Sequence, residues 1–402
     1  MRRSRDVTLV CALVATGMML TIAPGSAHKP ITSPYTYNED VFPVLRDRCG
    51  QCHVPGGVAP MSLMTHEDTV PWGESIRVEL LGGHMPPWSV DTAPGRFRNV
   101  NPITAREMNV LLTWATGGTP LGNPDKSPTP VERSRGWAVG PPDLPIPLPM
   151  EFTLPASVQE DIVDFVVPTG TTERRWIRAV DLLPGTPSIV RAATVQVRSK
   201  GASPSARAVS EEPVLAVWQP GDAPIAFDEA GFELPAGAEL LVRVRYKKTW
   251  QFERQEMKDR STIGLYFAPA PVAPVRALIL EAQAIPAAAD VQSGLVFGRT
   301  LDEDVRALAI YPSESLAGAG VVVTAVAPSG SRTNLIAFHP RPGWARRYWF
   351  RQPVALERGT RLQATVTFDD ETTLLPLSAA PPRASLQDPS AVRLTLNVVA
   401  AR

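Results

Sequence analysis

Thiol and imidazole groups are scarce in this chain of 402 residues, which has three cysteines and five histidines. So few cysteines exclude a disulfide framework, and a second Cys-x-x-Cys that could complete a zinc site is missing. Charge of one sign is not in excess either, with 40 Lys and Arg against 40 Asp and Glu. A neutral chain without a basic stripe is no candidate for nucleic-acid binding. Aromatic residues make up only 7%. Proline is abundant instead, at 42 residues, and argues against a mostly helical chain.

Residues 1–27 read as a secretory signal. Arg2, Arg3 and Arg5 form a basic start, Val7 to Ala23 is apolar, and Gly25-Ser26-Ala27 offers small residues for cleavage before His28. The alternative is a membrane anchor, for which about 17 apolar residues are borderline. The paired arginines lack the rest of a twin-arginine signal, and Thr8-Leu9-Val10 before Cys11 makes a poor lipobox. Cleavage would leave Cys49 and Cys52 as the remaining cysteines and a net charge of −2, three arginines and one aspartate having gone from a neutral chain. The expected location is therefore periplasmic or otherwise exported, with no membrane span after cleavage and no structural disulfide.

The informative stretch is Cys49-Gly50-Gln51-Cys52-His53. Cys-x-x-Cys-His is the attachment sequence for a c-type heme. The two thiols add across the porphyrin vinyl groups, and His53 follows at once as the proximal iron ligand. A chance match, a zinc pair and a redox pair are the competing explanations. Zinc lacks partners, and a thioredoxin-like pair lacks its βαβ setting. One covalent heme c is thus expected on Cys49, Cys52 and His53.

Around this motif, residues 28–120 read as a small helical domain. Thr36 to Glu39 can form a capping box, after which Val41, Val44 and Leu45 line one helical face with Pro43 in the first turn. A second helix fits Trp72 to Leu81, stopped by Gly82-Gly83. A third starts at Thr104, with Glu107 three residues on, and ends at Gly117-Gly118. A first helix bearing the motif and a last helix crossing it resembles a class I cytochrome c.

For the sixth iron ligand the candidate is Met85, in Gly82-Gly83-His84-Met85-Pro86-Pro87-Trp88. It lies far enough beyond His53 to wrap the heme edge, two prolines stiffen its loop, and Trp88 can cover the ring. His84 is a rival, as is an open site. Met61 and Met64 follow His53 too closely and belong on the proximal side. The competing explanation is that Met85 is core filler, because thioethers fill gaps well. A His/Met pair would raise the reduction potential relative to bis-His. A copper brace at His28 would need another histidine nearby, and His66 and His84 belong to the heme part.

Residues 121–150 are rich in proline and read as an extended linker. From 151 the period changes to two. Leu240, Val242, Val244 and Tyr246 alternate with polar neighbours, as do Leu362, Ala364, Val366 and Phe368, and then Val392, Leu394, Leu396 and Val398. This predicts an all-β region of two sandwiches, 151–270 and 271–402.

Gly136-Trp137-Ala138-Val139-Gly140-Pro141-Pro142-Asp143 and the strands after it resemble the β region of bacterial proteins that fuse a cytochrome c to a copper type II, ascorbate-dependent monooxygenase-like module. The likeness spans about 136–370 and implies two jelly-roll-like sandwiches. Its copper ligands do not carry over. Where the family has a His-His pair after a Pro-Gly turn, Pro184-Gly185 leads to Arg191-Ala192. Its His-Tyr is Arg245-Tyr246 here, its Pro-His-x-His is Pro312-Ser313-Glu314-Ser315, and no methionine follows Met257. Type II copper needs two or three imidazoles per site, and the β region has only His339. No copper is expected. Arg191, Arg243 and Arg245 either fill the cleft between sandwiches, paired with acids, or lie on solvated strand faces.

The expected function is that of an exported electron carrier serving a redox partner protein or a membrane electron-transfer complex. The β region then docks the partner or serves as scaffold. Two alternatives remain: an oxidoreductase with an open heme or residual copper site, and a binding or assembly protein whose heme is structural.

Overall fold

The computed structural model describes residues 32–87, 90, 96–98, 100, 102–129, 131, 136–198, 213–227, 229–269, 272–282, 295–313, 316, 319–341, 343, 344, 346–367 and 392–401. The expected signal with Cys11, and His28, Trp88, Glu314, Ser315 and Phe368, lie outside them. The described chain is chiefly β-sheet, with a few helices in its first third.

The helical segment enters through a π turn, Tyr37–Val41, that runs into α1 (Phe42–Arg48). The capping box expected at Thr36 does not form. The Thr36 N–H donates to Asp40 at 2.9 Å, and Glu39 pairs with Lys126. The wider π turn brings the fourth residue along, rather than the third, back to the helix start. A short turn of helix, α2 (His66–Thr69), precedes α3 (Gly73–Leu81), which stops at Gly82-Gly83 as the glycines predict. α4 (Ala105–Thr116) starts at the Thr104–Glu107 box, with both reciprocal bonds present. Trp114, Tyr37, Leu45, Met64 and Leu111 fill the core between these helices, and the Trp114 indole donates to the Pro120 carbonyl at 3.0 Å. Arg48 reaches across to Glu107 in a forked pair at 2.9–3.2 Å, tying the end of α1 to the start of α4.

The first sandwich sets one sheet against another. One has the order β1 (Leu144–Pro147), β10 (Thr262–Phe267), β4 (Arg175–Leu183), β7 (Ala230–Leu234), β11 (Ala273–Pro274). The other has β3 (Glu160–Pro168), β8 (Glu239–Lys247), β5 (Val190–Arg198), β6 (Val214–Trp218). A small ribbon, β2 (Phe152–Leu154) with β9 (Met257–Asp259), closes one end. The last part of the proline-rich stretch becomes β1 itself. Pro145 and Pro147 are tolerated there because β1 is an edge strand. In β8, Leu240, Val242, Val244 and Tyr246 all point into the core, as their alternation predicts.

The second sandwich sets β12 (Arg276–Glu281), β19 (Arg393–Ala400), β14 (Val305–Pro312), β17 (Tyr348–Leu356) against β13 (Leu295–Thr300), β18 (Arg361–Thr367), β15 (Gly320–Val326), β16 (Arg332–Phe338). Its β19 breaks the period-two rule, being buried from Leu394 to Val399 on both faces. Leu394, Leu396 and Val398 fill its own core, while Val399 belongs to the core of the first sandwich. Around this junction Arg346 pairs with Asp222 at 2.7 Å. Arg347 donates to the Val214 and Leu215 carbonyls and lies against the Tyr311, Trp349 and Phe232 rings.

Part of the chain between α3 and α4 leaves the helices. Phe97 bridges to Phe350 of β17, and Val90 bridges to Phe338 at the end of β16. The Arg98 N–H donates to the Trp349 carbonyl and the Arg351 N–H to the Arg96 carbonyl, both at 2.8 Å. Phe97, 3% exposed, stacks on Phe350 at 5.2 Å and sits in the second sandwich's core. β16 and β17 are the outermost strands of their two sheets, so this segment lies over backbone edges that would otherwise invite another chain. No helix among the described residues is long and apolar enough to cross a membrane.

The Arg48–Glu107 pair makes acid stability testable. Burial pushes the Glu107 carboxyl up, but the Arg48 guanidinium and the Thr104 donors outweigh it and hold Glu107 below its usual range. A depressed carboxyl stabilises the fold above its unfolded pKa of about 4.3, and that stabilisation fades as pH falls through the folded value. Glu107→Gln is expected to cost about 1–2 kcal/mol at pH 7 in urea denaturation, with the difference from wild type shrinking at pH 3.

Candidate functional site

The Cys-x-x-Cys-His stretch begins where α1 ends. Cys49 is its C-terminal cap, with its N–H on the Leu45 carbonyl at 2.8 Å. The chain then turns tightly, the Cys52 and His53 N–H groups both donating to the Cys49 carbonyl at 3.1 and 2.9 Å. This turn keeps both thiols and the imidazole within one loop. Cys49 and Cys52 are not joined by a disulfide. Burial pushes the Cys49 thiol up to about 12; the neighbouring Cys52 adds to the rise and Arg48 opposes it.

His53 is oriented from behind. Its Nδ1 lies 3.2 Å from the Met61 carbonyl, which accepts from the ring in the tautomer that carries the proton there. Nε2 is then the atom with a lone pair to give. Burial holds the imidazole below its usual range, against the opposing Met61 bond, so it stays neutral, the form that binds metals. The Leu63 N–H on the His53 carbonyl, at 3.0 Å, closes the loop that sets this geometry. An iron that brings four porphyrin nitrogens needs only one or two ligands from the chain. The Cys49, Cys52 and His53 donor set is compatible with that demand. Among the described residues, no group of three or more His, Cys, Asp or Glu could hold a bare ion.

The sequence-predicted methionines separate cleanly. Met64 is fully buried core, and Met61 is half-buried against it. Met85 is 37% exposed and is not among the residues packed on the helical core. Its N–H donates to the Glu79 carbonyl at 3.2 Å, so its backbone folds back on the last turn of α3. Val78 and Leu81 on that helix are also exposed. His84 puts Nδ1 3.2 Å from the Glu79 carboxylate, while His66 contacts the Thr119 carbonyl at 2.8 Å and the Tyr37 and Trp114 rings, a structural role.

Arg191, Arg243 and Arg245 divide between the two expectations: Arg245, paired with an acid, lies against the β16–β17 connection of the second sandwich, while Arg243 lies on a solvated strand face. Arg243 forms a forked pair with Asp164 on an exposed strand face, and Arg245 pairs with Glu160 beside Gly343. Arg191 turns to the loop after the Cys-x-x-Cys-His stretch, donating to the Val58 and Lys247 carbonyls. Burial brings its guanidinium down to about 10, with Cys52 and Glu160 opposing.

Sequence reasoning missed what covers the motif. The turn Gln219-Pro220-Gly221-Asp222 of the first sandwich sits on it, with the Pro220 carbonyl 3.9 Å from the Cys52 sulfur. Pro-Gly marks a turn in the sequence, but nothing in it says what the turn touches.

No protein-family model matches the chain, and no curated protein matches its sequence. Among solved structures it is similar to a Paenibacillus xanthan lyase, at 8% identity and a TM-score of 0.17, over 69% of this chain and 28% of the lyase. It is also similar to the 11S allergen of Cocos nucifera, at 8% identity and 0.14, over 62% and 88% of the two chains. A Bacillus subtilis oxalate decarboxylase follows at 7% and 0.11, over 58% and 80%. Scores this low carry no argument about fold or activity, and the chain spans about a quarter of the lyase's length.

Gly221 tests the cover. Its φ is +81°, and an added Cβ would meet the Gln51 Cβ at 2.5 Å. Gly221→Ala is expected to cost about 1–3 kcal/mol in equilibrium denaturation, from backbone strain and the push against the motif together. An unchanged midpoint would show that the turn does not rest there.

Proposed function

We propose that the chain carries one covalent heme c on Cys49, Cys52 and His53 and serves as an electron carrier. The observation that carries this reading is the half-buried His53 imidazole, held by the Met61 carbonyl inside the Cys-x-x-Cys-His turn. Bound there, the heme would supply a one-electron Fe(III)/Fe(II) couple. Cys49 and Cys52 would anchor it, His53 would supply an imidazole to the iron, and the Pro220–Gly221 turn would keep water from the Cys52 side. The helices that frame the motif then correspond to a cytochrome c domain, and the two sandwiches to a monooxygenase-like module used as scaffold or docking surface rather than for copper chemistry.

Met85 is the second axial ligand in this reading. Of the three methionines that follow the motif within the helical segment it is the one that core packing does not use, and the exposed Val78 and Leu81 on α3 are apolar surface that a porphyrin face can cover. A His/Met iron has a raised potential, suited to taking electrons and passing them to a redox partner protein or a membrane complex. The basic, apolar, small-residue sequence of residues 1–27 places this exchange in the periplasm or beyond.

The test is chemical. Protein expressed with heme-maturation machinery should be coloured and keep a peroxidase-active band after denaturing electrophoresis. Cys49→Ser combined with Cys52→Ser should lose it. Met85→Ala should replace the low-spin spectrum of the reduced protein with one that carbon monoxide alters. A colourless wild type rejects the heme, and a spectrum indifferent to Met85→Ala rejects that ligand.

A further inference from the structure

The loop that carries Met85 is held by a part of the molecule remote in sequence. Two residues before Met85, the Gly83 carbonyl accepts from the Arg341 guanidinium, on the connection between β16 and β17. Five residues after it, Val90 bridges to Phe338. Further on, Phe97 is buried in the second sandwich, stacked on Phe350 and edge-on to Tyr348 at 5.9 Å. Backbone bonds at Arg98 and Arg351 fix its register, and Arg96 donates to the Asn334 carbonyl. Met85 thus lies between anchors that belong to strands about 250 residues away in the chain. The last turn of α3 holds the Met85 backbone through the Glu79 carbonyl, but the Met85 side chain is not packed on the helical core.

From this we infer that the second sandwich is the positioning device for the Met85 loop, with Phe97 and Arg341 as its positioning residues. The inference rests on the heme reading and gives the β region a defined task in it. A thioether on three free torsions stays on a metal only if its backbone is placed for it. The sandwich supplies that placement by pinning the chain on both sides of Met85. Loosening either pin raises the fraction of molecules in which the loop has swung away and an outside ligand can reach the distal position.

The experiment uses the full chain carrying Phe97→Ala or Arg341→Ala, with Leu280→Ala as control. Leu280 is equally buried in the second sandwich's core but lies on β12, and its truncation removes core packing without touching the pins. Both pin variants should keep covalent heme and bind carbon monoxide about tenfold more tightly, because apparent affinity scales with the open fraction. Their reduction potential should fall, and Leu280→Ala should do neither. Hydrogen exchange on the heme-free Cys49→Ser, Cys52→Ser chain gives a readout independent of iron: the Arg98 and Arg351 amides should exchange slowly, and faster in Phe97→Ala. Should Phe97→Ala not fold, Arg341→Ala alone decides, since it removes one surface contact. Coloured protein whose carbon monoxide affinity and potential ignore both pin variants overturns the positioning role and leaves the heme reading standing. Equal effects from Leu280→Ala also overturn it, by showing general loosening. Colourless wild-type protein overturns both.

Discussion

Each sandwich of this molecule is completed by a side chain from outside it. Val399 leaves the second sandwich's own core to join the first, and Phe97 leaves the helical segment to join the second. Buried apolar area stabilises only if it is covered on every side, at roughly 25 cal/mol per Å². A core that borrows its cover is therefore obliged to keep its lender in place. That obligation ties the helical segment to the second sandwich and the second sandwich to the first.

Polar groups at the same junction set direction where apolar contact cannot. The Asp222 carboxylate and the Arg346 guanidinium are largely withdrawn from water, and burial raises the Asp222 carboxyl even with that partner beside it. A buried pair of this kind adds little net stability, but it penalises any arrangement that separates the two charges. Asp222 belongs to the turn lying on Cys52, and Arg346 to the connection that also carries Arg341. The pair therefore joins the cover of the motif's cysteine side to the anchor of the Met85 loop.

Much of the local structure was legible in the sequence, because local signals act locally. Gly82-Gly83 ends α3 and the Thr104–Glu107 box starts α4, since both act within one helical turn. The alternation in β8 and β18 was legible because one face of each meets a core. β19 was only half legible. Its even positions marked a strand, but Thr395, Asn397 and Val399 gave no sign that they too would be buried, Val399 in the core of the first sandwich. The π turn at Tyr37–Val41 defeated the capping reading of Thr36 for a similar reason, since the competing acceptor was Asp40, one residue beyond the pattern. At the site, the spacing of Cys49, Cys52 and His53 was legible as a motif, while Pro220, Gly221 and Arg191 were silent because their part depends on tertiary contact alone.

The exchange of core residues bears on how such a chain can be taken apart. Cut loose at the proline-rich stretch, the amino-terminal piece would carry a bare Phe97, and the remainder would present two naked strand edges, β16 and β17, to its neighbours. Neither half would be well behaved in water. Simple deletion therefore cannot separate the helical segment from the sandwiches without exposing apolar surface on both pieces.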